Sequence, residues 1–198
     1  MGAMPILREL PSADAAAPSF DMPRAGWLEL FATLADGDSA ALEKLYDAAA
    51  QRLYALALWL TGSPEDAADV VAETMVRVAQ QRSQLRGVRD PRAWLLTVSR
   101  RLSLDVVRRR SRRPSEPLEA AEFVTAPHHD ADRALDAQRV STLLAALPVH
   151  HREVVFLHHF ADCSFAEIGQ VVGVPTFTAA SRYRLAIRRL RRLLESPS

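Results

Sequence analysis

A stretch near the C-terminus, residues 164–194, constrains the fold more strongly than any other part of the chain. Apolar residues recur at helical intervals from Phe165 to Val172. Gly173 stands where helices commonly end in a left-handed residue, and Pro175 sets the backbone for the start of a second helix. A short helix, a Gly-Val-Pro turn and a longer helix together predict a helix-turn-helix, which is typical of DNA binding.

The second helix of this unit is predicted to have two contrasting faces. Steps of three and four residues define its buried stripe, which consists of Ala179, Tyr183, Ala186, Leu190 and Leu193. The other face has mostly small residues near its start and arginines later: Thr176, Phe177, Ala180, Ser181, Arg184 and Arg188. Small side chains let a backbone approach base edges, and arginines reach phosphate or guanine. A surface helix with solvated arginines has the same periodicity, so both interpretations stay open.

Helical periodicity runs through most of the 198 residues, whereas the alternation typical of strands is nearly absent. We therefore expect an all-α protein of two small helical domains, and a 48% hydrophobic composition suffices for their cores. No apolar run approaches the roughly 20 residues that span a bilayer, and the N-terminus has no secretory pattern. The single cysteine, Cys163, excludes an intramolecular disulfide, so we expect a cytoplasmic protein.

The net charge of +1 conceals two arginine-rich regions with an acidic region between them. One basic block covers residues 86–113 and the other covers residues 182–192. Acidic residues interrupted by prolines separate them, which predicts a flexible, exposed linker over residues 111–131. Two basic blocks on separate domains would allow contact with DNA at two places, although such charge runs also serve solubility alone.

The first domain is predicted to contain three main helices. Apolar residues from Leu42 to Leu60 repeat at three- and four-residue steps, which indicates a long helix that ends at Gly62. Ser63 and Asp90 each precede a proline, so each is the expected N-cap of a further helix. The first of these two further helices carries a polar stripe that is free for a protein partner: Asp66, Asp69, Glu73 and Arg77.

Three segments in this order closely resemble the extracytoplasmic-function (ECF) sigma factors of bacterial RNA polymerase, which are group 4 of the sigma-70 family. They are ALEKLYDAAAQRLYALALWLTGSPEDAADVVAETMVRVA, LRGVRDPRAWLLTVSRRLSLDVVRRR and LPVHHREVVFLHHFADCSFAEIGQVVGVPTFTAASRYRLAIRRLRRLL. The resemblance covers about residues 27–110 and 135–195. It implies a region 2 domain at residues 27–110, which binds core polymerase and recognises and melts the -10 element. A region 4 helix-turn-helix domain that recognises the -35 element is implied at residues 132–195.

The resemblance also implies roles for individual residues of the first domain. Contact with core polymerase falls to Leu45, Tyr46, Arg52, Asp66, Asp69, Glu73 and Arg77. Contact with the melted -10 element falls to Arg86, Gly87, Arg89, Asp90, Arg92, Trp94, Arg100, Arg101 and Arg108. Extracting a base from the stack costs a few kcal/mol, so this region needs a pocket and a cationic groove. Trp94 has an alternative role as a core residue, because its position on the predicted helix faces inward.

In the second domain the resemblance implies contact with duplex -35 DNA by Thr176, Phe177, Thr178, Ala180, Ser181, Arg182, Arg184 and Arg188. Family members commonly have Gly-Thr-Val-Lys-Ser-Arg-Leu in this helix, where this chain has Phe-Thr-Ala-Ala-Ser-Arg-Tyr at residues 177–183. The missing lysine removes one phosphate contact. Phe177 either contacts a thymine methyl group or shifts the register of the helix, so a promoter sequence cannot be transferred from the family.

The expected partners are core RNA polymerase, promoter DNA that is duplex at -35 and melted at -10, and an anti-sigma factor or other regulator. We expect no enzymatic activity, no cofactor and no membrane insertion. An alternative function is that of a helix-turn-helix regulator or sigma-like mimic that does not engage core polymerase. Residues 1–26 are expected to be disordered at least in part, or else to dock through apolar residues: Ile6, Leu7, Leu10 and Phe20.

Paired histidines raise a further alternative, a metal site. The pairs are His128–His129, His150–His151 and His158–His159, with Cys163 close in sequence to the last pair. Adjacent helical residues point about 100° apart, so the members of a pair do not readily converge on one ion. We therefore expect no intrinsic metal site and assign these histidines to the surface or to a partner.

Overall fold

The computed structural model describes residue 20, residues 22–112 and residues 146–195. Most of the predicted N-terminal tail and linker, and the pair His128–His129, lie outside the described residues. The fold and the sites below concern only the described part of the chain.

Seven α-helices and one short 3-10 helix form the described part, in which no strand occurs. The bounds are α1 Arg24–Ala35, α2 Ala40–Thr61, α3 Pro64–Gln80, the 3-10 helix Arg82–Gly87, α4 Pro91–Ser111, α5 Val149–His159, α6 Phe165–Val172 and α7 Thr176–Glu195. The prediction of an all-α protein is confirmed. None of these helices combines the length and apolarity needed to cross a bilayer.

The predicted helix boundaries of the first domain are found with the expected caps. Gly62 ends α2 in the left-handed conformation, with φ of 70°. The side chain of Ser63 accepts a hydrogen bond from the Asp66 amide, and that of Asp90 accepts one from the Ala93 amide. These side chains satisfy amides that the first turns of α3 and α4 leave without a helical partner.

Helix α1 was not predicted from the sequence. It begins after Pro23, which provides no side-chain cap, so the usual start signal is missing. Trp27, Leu30 and Phe31 project from it into the core, where Trp27 is completely buried. The helix therefore depends on tertiary packing rather than on local signals.

Helix α2 lies at the centre of the first domain and packs against α1, α3 and α4. Leu45, Leu53 and Leu56 are completely buried on it. Burying a leucine side chain contributes about 1.5–3 kcal/mol, so this one helix supplies a large part of the apolar free energy of the domain.

The helix-turn-helix is formed by α6 and α7, with α5 packed against both. A close backbone approach brings the turn onto α6, because a Cβ atom on Gly169 would lie only 2.7 Å from the carbonyl oxygen of Val174. The Val174 amide donates to the Gly169 carbonyl, and Gly173 has a left-handed φ of 78°. Glycine at residue 169 therefore makes the tight turn possible.

The two domains pack against each other through α2 with α5 and through α4 with α6. Trp59 of α2 lies against the rings of Phe156 and Phe160, at centroid distances of 5.5 Å and 5.2 Å. One cluster of buried apolar residues runs through both domains.

Replacing Gly169 by alanine is expected to destabilise the second domain by about 1–3 kcal/mol, since the added methyl group meets backbone that cannot move without opening the turn. The measurement is the free energy of unfolding from urea denaturation. Gly87→Ala is the matched control, because no atom lies within 4 Å of an added Cβ there. Equal stability of the two variants would contradict this account of the turn.

Candidate nucleic-acid interface

The outward face of α7 begins with an aromatic side chain and continues with cations. Phe177 lies in the first turn of α7 and is 74% exposed. Arg184 and Arg188 follow it at helical spacing and are exposed, as is Thr176 beside it. The other residues predicted for -35 contact are partly buried on this helix: Thr178, Ala180, Ser181 and Arg182.

A complete capping box fixes the start of α6, and the tight turn after α6 then positions α7. The Ser164 amide donates to Glu167 Oε2 at 2.7 Å, and the Glu167 amide donates to Ser164 Oγ at 3.3 Å. Partial burial favours the neutral acid, but the hydrogen bonds from Ser164 outweigh it and hold the pKa of Glu167 below its usual value. The carboxylate is therefore ionised and works as a strong acceptor at neutral pH.

An aromatic cluster joins α5 to the middle of α7. Tyr183 Oη lies 2.8 Å from His159 Nε2, and the His158 ring stacks on Phe165 with centroids 4.8 Å apart. Burial, together with the nearby charge of His158, lowers the pKa of His159, although Asp162 opposes the shift. Tyr183 thus holds α7 against α5.

The contacts of His158 with Phe165 and of His159 with Tyr183 give this histidine pair a packing role. Within the described residues, no three His, Cys, Asp or Glu side chains are grouped so that they could hold a metal ion. His158 Nδ1 lies 3.2 Å from the Cys163 carbonyl oxygen. Burial raises the pKa of the Cys163 thiol to about 12, so the sulfur is protonated and unreactive at neutral pH.

The residues predicted for -10 contact fall into two groups. One group is accessible to solvent and lies on the 3-10 helix, the following loop and the outer side of α4: Arg86, Gly87, Arg89, Arg101 and Arg108. Two of its arginines form exposed ion pairs with carboxylates of their own domain, Arg86 with Asp36 and Arg108 with Asp105. Exposed pairs of this kind contribute little and exchange readily for phosphate.

The second group is engaged within the protein. Asp90 caps α4 with its carboxylate. Trp94 is partly buried and lies edge-on to the core residue Phe31, at a centroid distance of 5.9 Å. The core therefore holds part of the Trp94 ring, and the remainder is accessible.

A buried carboxylate connects the predicted -10 and -35 residues across the two domains. Glu153 of α5 is 1% exposed. Arg100 of α4 donates to both of its oxygens, with Nε to Oε2 at 2.7 Å, and Arg182 of α7 lies 3.5 Å from Oε1. Arg100 and Arg182 thus face the domain interface rather than solvent.

Two further arginines cross from the first domain to the segment that follows α5. Arg92 donates to the Ala161 carbonyl at 2.8 Å, and Arg52 donates to the Phe160 carbonyl. Arg52 was predicted to contact core polymerase, but in this structure it belongs to the domain interface.

The polar stripe of α3 is found where the sequence predicts it. Asp69 is exposed, and Glu73 pairs with Arg77 at 2.9 Å on the surface of the helix. Asp66 is less accessible and lies 3.2 Å from Arg110 of α4.

Leu45, a predicted polymerase contact, is completely buried in the core and has no surface available to a partner in this structure. Its neighbour Tyr46 points outward and is 52% exposed, since adjacent helical residues face directions about 100° apart. Val76, which was not predicted, is 44% exposed on α3 beside Glu73 and Arg77. The sequence does contain a signal for this exposed residue, because Val76 falls outside the apolar repeat of α3.

Comparison with known families gives two matches. Residues 45–113 match sigma-70 region 2, and residues 137–190 match sigma-70 region 4. The chain is 34% identical over 167 residues to the ECF RNA polymerase sigma factor SigL of Mycobacterium tuberculosis, which covers 81% of this chain and 93% of that protein. It is also 34% identical over 176 residues to the ECF RNA polymerase sigma factor SigE of Mycolicibacterium smegmatis, covering 83% of this chain and 66% of that protein.

Two solved structures share the fold. One is CnrH in complex with the cytosolic domain of CnrY, with a TM-score of 0.65, 24% identity and coverage of 86% of this chain and 98% of that chain. The other is the sigma factor RpoE in complex with the anti-sigma factor NepR from Bartonella quintana, with a TM-score of 0.63, 24% identity and coverage of 75% of this chain and 93% of that chain.

The lowered pKa of His159 predicts a pH-dependent stability. The unfolded chain, in which a histidine has its usual pKa near 6.5, binds more protons than the folded chain, so stability is present above that value and is lost as the pH falls below it. His151, whose pKa burial also lowers, acts in the same direction. The free energy of unfolding should fall as the pH is lowered from about 7.5 to 5.5. In the His159→Gln variant, the free energy of unfolding should fall less steeply over the same range. Parallel profiles for the two proteins would contradict this assignment.

Proposed function

Because the chain belongs to the extracytoplasmic-function sigma factors of bacterial RNA polymerase, we propose that it holds a promoter at two places with the two surfaces described above. Proteins of this family bind core RNA polymerase and direct promoter-specific transcription initiation, and that is the function of this chain. The division of residues between -10, -35 and polymerase contact is our proposal. The alternative, a regulator that does not engage polymerase, has no need of a first domain that matches sigma-70 region 2.

We assign duplex -35 contact to the exposed face of α7. The observation that carries this assignment is the first turn of α7, where the large apolar side chain of Phe177 is 74% exposed. A helix enters the major groove with its N-terminal residues toward the bases. Phe177 then meets a base edge, most simply a thymine methyl group, while Arg184 and Arg188 reach phosphates.

We assign polymerase docking to the exposed side of α2 and α3. Tyr46 and Val76 are the large exposed apolar side chains of these helices, and Asp69, Glu73 and Arg77 of α3 add charged groups. An apolar centre with a polar rim is the usual anatomy of a protein interface. Leu45 supports this surface from beneath.

We assign the melted -10 element to the basic side of α4 and the loop before it. Arg89 and Arg101 are available in this structure, whereas Arg92 and Arg100 become available only when the domains separate. The accessible part of Trp94 offers a surface for stacking an unpaired base.

The protein works in this scheme by binding alone, without catalysis or a cofactor, and its place is the cytoplasm, where polymerase and promoter are found. An anti-sigma factor is the expected regulator, since the two solved structures of this fold are complexes whose partners are named CnrY and the anti-sigma factor NepR.

Phe177→Ala is expected to weaken binding to promoter duplex about fivefold, equivalent to ~1 kcal/mol for one lost apolar base contact, without loss of stability. The measurement is the affinity of the reconstituted holoenzyme for promoter DNA with an intact and with a scrambled -35 element. Leu194→Ala is the control, because Leu194 is 38% exposed on the same helix but about 25 Å from Phe177 along its axis. A variant that binds both DNAs as the unsubstituted protein does would contradict the assignment.

Reconstitution with core polymerase tests the function itself. Purified chain and core enzyme should form a complex that starts transcription at a few genomic promoters, identified by sequencing the transcripts. The double variant Asp69→Ala, Glu73→Ala should bind core polymerase about tenfold more weakly, through the loss of two rim contacts. Glu29 is an exposed carboxylate on α1, and the Glu29→Ala variant should bind core polymerase as tightly as the unsubstituted chain. A chain that binds duplex DNA as a dimer and fails to bind core polymerase would establish the regulator alternative instead.

A further inference from the structure

One carboxylate neutralises a cation from each of the two proposed DNA-binding surfaces. Glu153 is 1% exposed, and its side chain receives Arg100 from α4 and Arg182 from α7. The arginine side chains are themselves 15% and 27% exposed. Both are therefore withdrawn from solvent, and from any phosphate, as long as this contact lasts.

This arrangement is incompatible with simultaneous binding of the -10 and -35 elements, which we propose above. Elements named -10 and -35 are separated by about 25 base pairs, or ~85 Å of B-form DNA. In the structure, Arg100 and Arg182 contact oxygens of the same carboxylate, so the residues proposed for the two elements lie side by side. The domains must separate before both elements can be bound.

Other contacts close the same interface. The indole of Trp59 donates to the Arg152 carbonyl at 2.9 Å, and Arg92 donates to the Ala161 carbonyl at 2.8 Å. Neither uses a carboxylate. The side chain of Glu153, by contrast, receives one arginine from each domain.

Phe20 also contacts the arginines of this interface. Phe20 is 3% exposed and lies edge-on to Trp27, at a centroid distance of 5.5 Å. The guanidinium groups of Arg52 and Arg92 lie over its ring, 5.7 Å and 4.9 Å from the centroid. These are the two arginines that donate to backbone carbonyls of the second domain, so Phe20 holds them in the closed position.

A buried ion pair is a poor way to gain stability alone, because the desolvation of the charges offsets most of their attraction. It is, however, well suited to a contact that must exchange for phosphate, since arginine binds carboxylate and phosphate with the same paired donors. We propose that Glu153 acts as an internal substitute for DNA phosphate and holds the free chain in a closed, self-inhibited form. Binding to core polymerase and promoter opens it. The proposal rests on the DNA-contact roles of Arg100 and Arg182 given above.

The first test measures the distance between the domains in the free chain. Spin labels on Ala79→Cys and Gln170→Cys, both exposed, report it by double electron–electron resonance in a Cys163→Ala background. The unsubstituted interface should give one narrow distance. Glu153→Gln, which keeps the shape and removes the charge, should give a longer and broader distribution, whereas Glu29→Gln, with the same change in net charge, should not.

The second test measures DNA binding by the free chain, with a random-sequence 30-base-pair duplex as the probe. Glu153→Gln should bind at least fivefold more tightly than Glu29→Gln. Its log affinity should also fall more steeply with log salt concentration, by about 0.9 for the one additional phosphate contact of Arg182. An interdomain distance and a DNA affinity equal to those of Glu29→Gln would overturn the proposal.

Phe20→Ala provides a second route if Glu153→Gln does not fold, as judged by circular dichroism. It loosens the closed form without altering a DNA-facing residue, so it should also lengthen the interdomain distance and strengthen binding to the duplex probe. Unchanged distance and affinity in this variant would count against the proposal. Core polymerase binding by the unsubstituted chain is measured in parallel, so failure of the sigma function is recognised separately from failure of the self-inhibition.

Discussion

The pairing of Glu153 with Arg100 is the ionic contact that joins the two domains in this structure, and Arg182 adds a second cation to the same carboxylate. A carboxylate that is 1% exposed needs charged partners, because an unpaired buried charge is strongly destabilising. Those partners come from α4 on one side and α7 on the other. The apolar contacts of Trp59 with Phe156 and Phe160 shield the same interface from water. The domain interface therefore combines apolar contacts with an ionic contact. In our proposal, DNA phosphate replaces the ionic contact.

Much of the fold could be predicted from the sequence, because its helices begin and end with local signals. Ser63 and Asp90 cap the helices that follow them, and Gly62 and Gly173 end helices in the left-handed conformation. Helix α1 was not predicted, because it has no such cap. Burial of Trp27 and its neighbours in the core stabilises it instead. The resemblance implied contact for both Leu45 and Tyr46, and the structure buries the first and exposes the second, because a family resemblance transfers a helix face more reliably than a single position on it.

The domain interface could not be predicted in the same way. Periodicity reports which residues of one helix share a face, but Arg100, Glu153 and Arg182 belong to three helices that only the tertiary fold brings together. Each of the two arginines was predicted to be a cation on a DNA-binding helix, and neither sequence context indicates a carboxylate partner. The site prediction treats both arginines as available to DNA, whereas the structure pairs both of them with Glu153.

We propose that α7 and α4 contact two separate promoter elements in the same complex. Cleavage by a tethered iron chelate measures this most directly, with the chelate on Phe177→Cys of α7 or on Arg101→Cys of α4 in a polymerase–promoter complex. We expect cuts centred near -35 from the first position and near -10 from the second, about 25 base pairs apart. Cuts from both positions within one helical turn of DNA, about 10 base pairs, would contradict the account.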